Sequence, residues 1–333
     1  MIDSLLKEQL RNDHEIAGML AVYNADDRPA PAIFYQKAPP DTDRRWVKPC
    51  YPRIDYNVDM HHDPEHKYGG TLTINVWCSS ESKYMPEDIE KRLLNLIHGS
   101  FYSSQDESEH SCDYCDPLSI SPETQITTCV TWLRSDAFSV NSSQRSNSGE
   151  PEIFGITISF DVMEFPPEIT TDPDPVAGLN TFIHLYFPDM TVIAGQKELL
   201  PYAWRPTDEN PAIYWRYIGV DADNRQTYAV NWYNGQFAAH IFADTVRERN
   251  RWIKSLVERI QLNGEIILPD GSPMLTQRIV VRHAAEPEKE GQILLTGRYG
   301  VLAQHRKETA QIPLNNAIYP NLNMEVRYER IKK

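Results

Sequence analysis

A short apolar run that passes straight into an amphipathic helix is the feature that most narrows the folds open to this chain. It lies between Gly235 and Ile260, in GQFAAHIFADTVRERNRWIKSLVERI. Phe237 to Phe242 suits a strand, and the chain then turns at Asp244, whose carboxylate is placed to cap a helix. In that helix Val246, Ile253, Leu256, Val257 and Ile260 form one apolar side. Arg247, Glu248, Arg249, Lys254 and Glu258 form the other. A strand feeding such a helix calls for a sheet with the helix laid across one face.

The same order occurs earlier. Gly69-Gly70 introduces TLTINVWC, in which Leu72, Ile74 and Val76 alternate with polar residues, as a strand with one buried face requires. Pro86 then stands at a helix start, with Glu87 and Asp88 in the first turn and a stripe of Ile89, Leu93, Leu96 and Ile97. The expected fold class is therefore α+β, with two tandem domains, each an antiparallel or mixed sheet carrying a helix on one face. A chain of 333 residues is too long for one ordinary core, which agrees with two domains. The proline-rich stretch from Phe165 to Val176 divides them, giving a first domain over 1–165, a linker over 166–177 and a second domain over 178–333.

Each half reads as helix, strand, strand, helix, strand, strand, so the second is expected to be a divergent repeat of the first. The first opens with a helix on Ile2, Leu5, Leu6 and Leu10 and a strand over Ala30 to Tyr35; strands resume at Gln125 to Leu133 and Ile153 to Met163. The second opens with a helix over Leu179 to Phe187 and a strand over Ala212 to Ile218. Strands at Thr227 to Trp232 and Gln236 to Phe242 flank Asn234-Gly235, which suits a tight hairpin. Further strands are expected at Leu262 to Ile267, Thr276 to Val281, Gln292 to Tyr299 and Leu322 to Tyr328.

Charge and motifs restrict function. The formal net charge is −14, from 33 basic and 47 acidic residues, which disfavours unspecific contact with a phosphate backbone. No apolar run is long enough to cross a bilayer, and MIDSLLKEQLRND lacks the order of a secretory signal, so synthesis in a cytosol without a membrane partner is expected. There is no GxSxG, phosphate-cradling loop or dinucleotide fingerprint; neither an enzyme nor a cofactor is expected. His184, His240, His283 and His305 read as structural.

Two clusters could be taken for metal ligands. His61, His62 and His66 lie in a polar loop without helical ligand spacing, and are better read as surface or subunit-contact residues. Cys112 and Cys115 form a CxxC with His110 nearby, but a tetrahedral zinc site needs a fourth ligand that is not evident. Glu107, Glu109, Asp113 and Asp116 around them would raise the thiol pKa values, which favours ordinary reduced cysteines. The aromatics Tyr214, Trp215, Tyr217, Tyr228, Trp232, Tyr233 and Phe237 fall on successive strands and suit either a core or a permanent subunit interface. The polar insertions Asp41 to Tyr68 and Ser103 to Pro122 are long enough to be binding elements, ordered against a neighbouring subunit.

The segments MIDSLLKEQLRND, YPRIDYNVD and HKYGGTLTINVWCSS, followed by PEDIEKRLLNLIHGSF, resemble the tail completion (tail terminator) proteins of tailed bacteriophages. The resemblance covers residues 1–165 and is looser over 178–330. It implies a non-enzymatic ring, usually of six subunits, at the head-proximal end of the tail. Such a ring stops polymerisation of the tail-tube protein and offers a surface to the head-tail connector protein. The implied location is the virion tail near the neck, with host cytoplasm during assembly. No sequence-specific nucleic-acid contact is implied, although the genome would pass through the ring. The doubled chain departs from single-domain members and leaves open a hexamer or a trimer supplying six domains. Another head-tail joining or baseplate component, or a small-molecule-binding or zinc-dependent enzyme using the histidine loop at His61, His62 and His66 and the Cys112–Cys115 pair, are the alternatives.

Overall fold

The computed structural model describes residues 2–25, 28–61, 69–104, 125–140, 151–168, 170–195, 199–223, 227 and 229–302. The first half runs α1 (Ile2–Asn12), α2 (His14–Met19), β1 (Val22–Ala25), β2 (Arg28–Pro31), β3 (Ile33–Tyr35), β4 (Trp46–Val47), β5 (Arg53–His61) and β6 (Gly69–Ser79). It closes with α3 (Pro86–Ile97), β7 (Ser100–Ser104), β8 (Ile126–Ser139) and β9 (Ile153–Phe165). The second half runs α4 (Pro175–Tyr186), β10 (Thr191–Val192), β11 (Ala203–Trp204), β12 (Ala212–Ala222), β13 (Val230–Phe242) and α5 (Val246–Asn263). Its last strands are β14 (Glu265–Ile267), β15 (Pro273–Val281) and β16 (Ile293–Leu302).

The fold is α+β, and its two large sheets share one connectivity. The first is ordered β11-β7-β8-β9-β6-β5-β3 and the second β14-β15-β16-β13-β12-β10. With β11 set aside, the strands correspond one to one in chain order. In each sheet the outermost pair, β3 with β5 or β10 with β12, is parallel, and every other pair is antiparallel. In each, a helix crosses from the central strand to the far edge: α3 after β6, α5 after β13. Corresponding strands also carry a bulge, between Trp132 and Arg134 in β8 and between Thr276 and Arg278 in β15.

Alternation in sequence produces the cores. Leu72, Ile74, Val76 and Cys78 of β6 and Ile156, Ile158, Phe160 and Val162 of β9 face Leu6, Leu10, Ile89, Leu93 and Ile97 from the helices. The second core repeats this with Ile213, Trp215, Phe237, Ala239, Ile241, Ile293 and Leu295 against Leu179, Ile183, Ile253, Leu256 and Ile260. In the first half the helices are tied together by charge. Asp13 accepts from Ile16 N–H (2.9 Å), capping α2, and also takes the Arg92 guanidinium of α3 (2.5 Å).

Helix boundaries differ from expectation where a better cap stands nearby. The cap of α5 is Thr245, not Asp244: its Oγ1 accepts from Glu248 N–H at 3.3 Å. Asp208 holds it there, accepting from the Thr245 N–H (2.8 Å) and hydroxyl (3.0 Å). Likewise α4 begins at Pro175 because Asp174 accepts from Val176 N–H at 2.8 Å. The expected linker thus gives its end to a helix.

One loop expectation is overturned. Asn234-Gly235 does not turn; β13 runs unbroken through it, with Gly235 opposite Val220 and Gly297. Glycine is needed there for space, since a Cβ would come within 2.6 Å of the Phe237 ring and 3.1 Å of the Tyr299 ring. The loop between β3 and β5 is held by bonds within the chain. Asp41 accepts from Tyr51 Oη (2.9 Å) and Arg53 (2.6 Å), and the Arg53 guanidinium lies 4.5 Å from the Tyr51 ring. Trp46 packs edge-on to Tyr23 and Phe34, with centroids 4.9 and 5.6 Å away. The next part of that insertion, Arg53–His61, forms β5; residues 62–68, most of the insertion from Ser103 to Pro122 and the expected strand Leu322 to Tyr328 lie outside the described residues.

The halves are interlocked. Their sheets meet through the faces turned away from the helices, where Phe101, Cys129, Met163 and Phe165 pack on Ala212, Tyr214 and Phe242. Phe101 and Phe242 are edge-to-face at 4.9 Å. Although it belongs to the second half, β11 pairs with β7 and extends the first sheet. Lys289 bridges to Asp161 at 2.7 Å, and Gln125 both donates to Leu200 O and accepts from its N–H.

Since Phe237 is fully buried and cannot yield, Gly235→Ala is expected to destabilise the protein by about 1–3 kcal/mol. Urea unfolding checks this; a turn-forming Gly235 would instead leave the two aromatic cores unaffected.

Candidate assembly surface

The aromatic residues singled out in the sequence separate by strand face. Tyr214 is 3% exposed and Trp215 1% exposed. Tyr214 fills the seam between the sheets and donates to Pro166 O (2.9 Å) and Glu168 (2.7 Å), while Trp215 is inside the second core. Neither offers a surface to another chain, because neighbouring residues of a strand face opposite sides and both sides are covered here. Tyr217, Trp232 and Tyr233 are half-buried. Tyr217 and Tyr233 pack on Phe237 and Tyr299, and Trp232 lies 4.5 Å beneath the Arg298 guanidinium, itself paired with Asp223 at 2.8 Å. His61 is exposed at the tip of β5, opposite Gly69. His62, His66, His110, Cys112, Cys115 and Tyr228 lie outside the described residues. Among the described residues no group of three or more His, Cys, Asp or Glu could hold a metal ion.

What sequence patterning did not reveal is the length of sheet edge left open. The strand β7 covers β8 only over Ile126 to Val130, and β3 covers β5 only over Ile54 to Tyr56. In the second sheet, β14 covers β15 over Pro273 to Leu275, and β10 covers β12 over Ala212 and Ile213. Among the described residues no strand lies against the outer side of Leu133 to Ser139, Asn57 to His61, Gln277 to Val281 or Gly219 to Ala222. Such edges carry unpaired backbone donors and acceptors and are ready to pair with another chain. The bulges in β8 and β15 fall just where cover ends, and bulges twist an edge out of the flat form that templates endless pairing.

A cavity of about 420 Å³ opens where the two halves meet, lined among others by His98, Cys129, Arg205, Arg249 and Glu288. Burial sets the charge state of its groups. Burial pushes the Cys129 thiol up to about 12, leaving it un-ionised at neutral pH and a poor nucleophile. Burial also raises Glu288, and burial with the nearby Arg205 charge lowers His98. Arg205 donates to Asn95 O (3.1 Å) and His98 O (2.6 Å), placing its charge on the free carbonyls at the end of α3. The second half thereby grips the helix of the first.

His240, read from sequence as structural, is 1% exposed in the same seam. Its Nδ1–H donates to Pro287 O at 2.6 Å, and burial lowers its pKa to about 3. The folded state therefore resists protonating a group that the unfolded chain protonates near 6.5. His240 contributes stability that is full above that pH and is lost as pH falls toward 3. The urea midpoint of the native protein is expected to fall more steeply between pH 6.5 and 4 than that of His240→Phe; equal slopes would show that the imidazole is protonated in the folded protein.

No family model matches the chain, and no curated protein matches it.

Proposed function

We propose that this chain is a structural assembly protein whose copies close into a ring at the head-proximal end of a bacteriophage tail, ending tube polymerisation and joining tail to head. The observation that carries the proposal is the pairing of two sheets of one connectivity in a single chain, each with a helical back and open edges. Sequence resemblance supplies the setting; the architecture supplies a means of self-association. Repeated units with exposed edges suit a closed ring, in which each edge is hidden by the next copy. The work is then geometric: one face of the ring matches the last layer of tube protein and refuses further layers, and the other receives the connector.

Two further features support this reading. Among the described residues no helix is long and apolar enough to cross a membrane. The net charge of −14 suits a ring through which DNA passes without being held.

Light scattering and negative-stain imaging of the purified chain are expected to show a ring of fixed copy number, and labelled protein is expected only at the head-proximal end of tails. Particles assembled without it should carry overlong tails. Tails of normal length that join heads without this chain would overturn the proposal.

A further inference from the structure

The four open edges are chemically paired. In the first sheet, Arg134 stands on the open stretch of β8 and Asp59 on that of β5, at opposite sides of the sheet. In the second, Arg278 stands on the open stretch of β15 and Asp221 on that of β12, which are the corresponding strands. All four are exposed.

They also share a face. Arg134 is opposite Ser159, which alternates with the core residues Ile158 and Phe160 and so lies away from the helices. Asp59 is two pleats along from Asp55, which accepts from Asn75 (2.7 Å) and Trp77 (2.6 Å) on that same outer face. Arg278 is opposite Thr296, between core residue Leu295 and Gly297, and Asp221 is opposite Asn234, which is out of phase with Phe237 and Ala239.

Strand direction is compatible as well. Following the antiparallel ladder from β5 through β6 and β9 to β8, β5 and β8 run in opposite directions. A second copy in the same orientation would set its β5 antiparallel to β8 of the first, continuing the ladder. The outward backbone groups on β5 are identifiable. Ile54 N–H donates to Ala32 O and Tyr56 O accepts from Gln36 N–H, so by alternation Val58 and Met60 turn their N–H and C=O to the open side. Among the described residues Arg134 pairs with Asp136 at 3.3 Å, with 70% and 61% of the two side chains exposed, a pair weak enough to exchange partners.

We propose that copies of this chain associate head to tail through these edges, β8 of one against β5 of the next and β15 against β12, with Arg134 facing Asp59 and Arg278 facing Asp221. The inference rests on the self-association proposed above and names its surface. Different edges on the two partners make the contact heterologous, the kind that closes rings. The matching charges set register, and like charges there would oppose it.

The test is charge reversal in the full chain, read by light scattering across a concentration series. Arg134→Glu and Asp59→Arg are each expected to weaken association on the order of tenfold or more, and the double variant to restore it. Arg278→Glu and Asp221→Arg should behave the same way. Because all four side chains are exposed, thermal midpoints should stay within a few degrees of the native protein, separating lost association from lost folding. Unchanged mass in the reversals, or rescue of Arg134→Glu by Asp221→Arg in place of Asp59→Arg, would overturn the edge assignment while leaving a ring intact. A native chain that stays monomeric throughout would overturn self-association itself.

Discussion

A sheet backed by helices on one side still has a second face to account for, and this chain deals with it by turning two such faces toward each other. That contact decides much else. It places Phe101, Phe165, Tyr214 and Phe242 in one aromatic cluster. It makes a buried polar group of His240, and it fixes how the two sheets present their free edges. Aromatic pairs at about 5 Å add specific geometry to the area they bury. The seam is therefore directional, unlike a purely aliphatic contact.

The polar bonds around the seam reinforce it in a particular way. Lys289 to Asp161, Trp204 Nε1 to Ser103 Oγ, and Arg205 to the end of α3 each join one half to the other. None is worth much alone near solvent, but each requires the same relative placement of the halves. With β11 entering the first sheet, the second half cannot swing away without breaking a ladder in its neighbour. The chain is two repeats by connectivity and one body by contact.

How much of this was legible follows from what each signal measures. Alternation in Thr71 to Cys78 and the helical stripes of α3 and α5 report burial on one face, so the helix-on-sheet units and their repetition could be read directly. Asn234-Gly235 could not, because the same dipeptide serves a turn that needs positive φ or a strand that needs space, and only the Phe237 and Tyr299 rings distinguish these. Asp244 and Thr245 are both good caps, and the choice was made by Asp208, far away in sequence. Two-residue strands such as Ala203–Trp204 carry no periodicity at all. The aromatic run on β12 left core and interface undecided for a related reason: burial of Tyr214 on one face and Trp215 on the other requires a second sheet behind the first, which local pattern does not encode. Open edges are equally silent, since they depend on where a partner strand stops.

The seam also bears on how repeats within one chain relate to contacts between chains. For three chains to imitate six equivalent units, the contact inside a chain would have to match the contact between chains. Inside, the sheets meet face to face through Phe165, Tyr214 and Phe242. The surfaces left for other copies are edges, with backbone groups and the Arg and Asp residues described above. A face contact and an edge contact cannot substitute for each other, because they place neighbouring sheets in different relative orientations. On the proposed reading, each chain therefore enters a ring as one unit with two sets of edges, and a six-fold ring needs six chains. Linking the sheets then serves a different end from halving the copy number. It brings the second set of edges into register once the first has paired, so the later contact forms at high effective concentration.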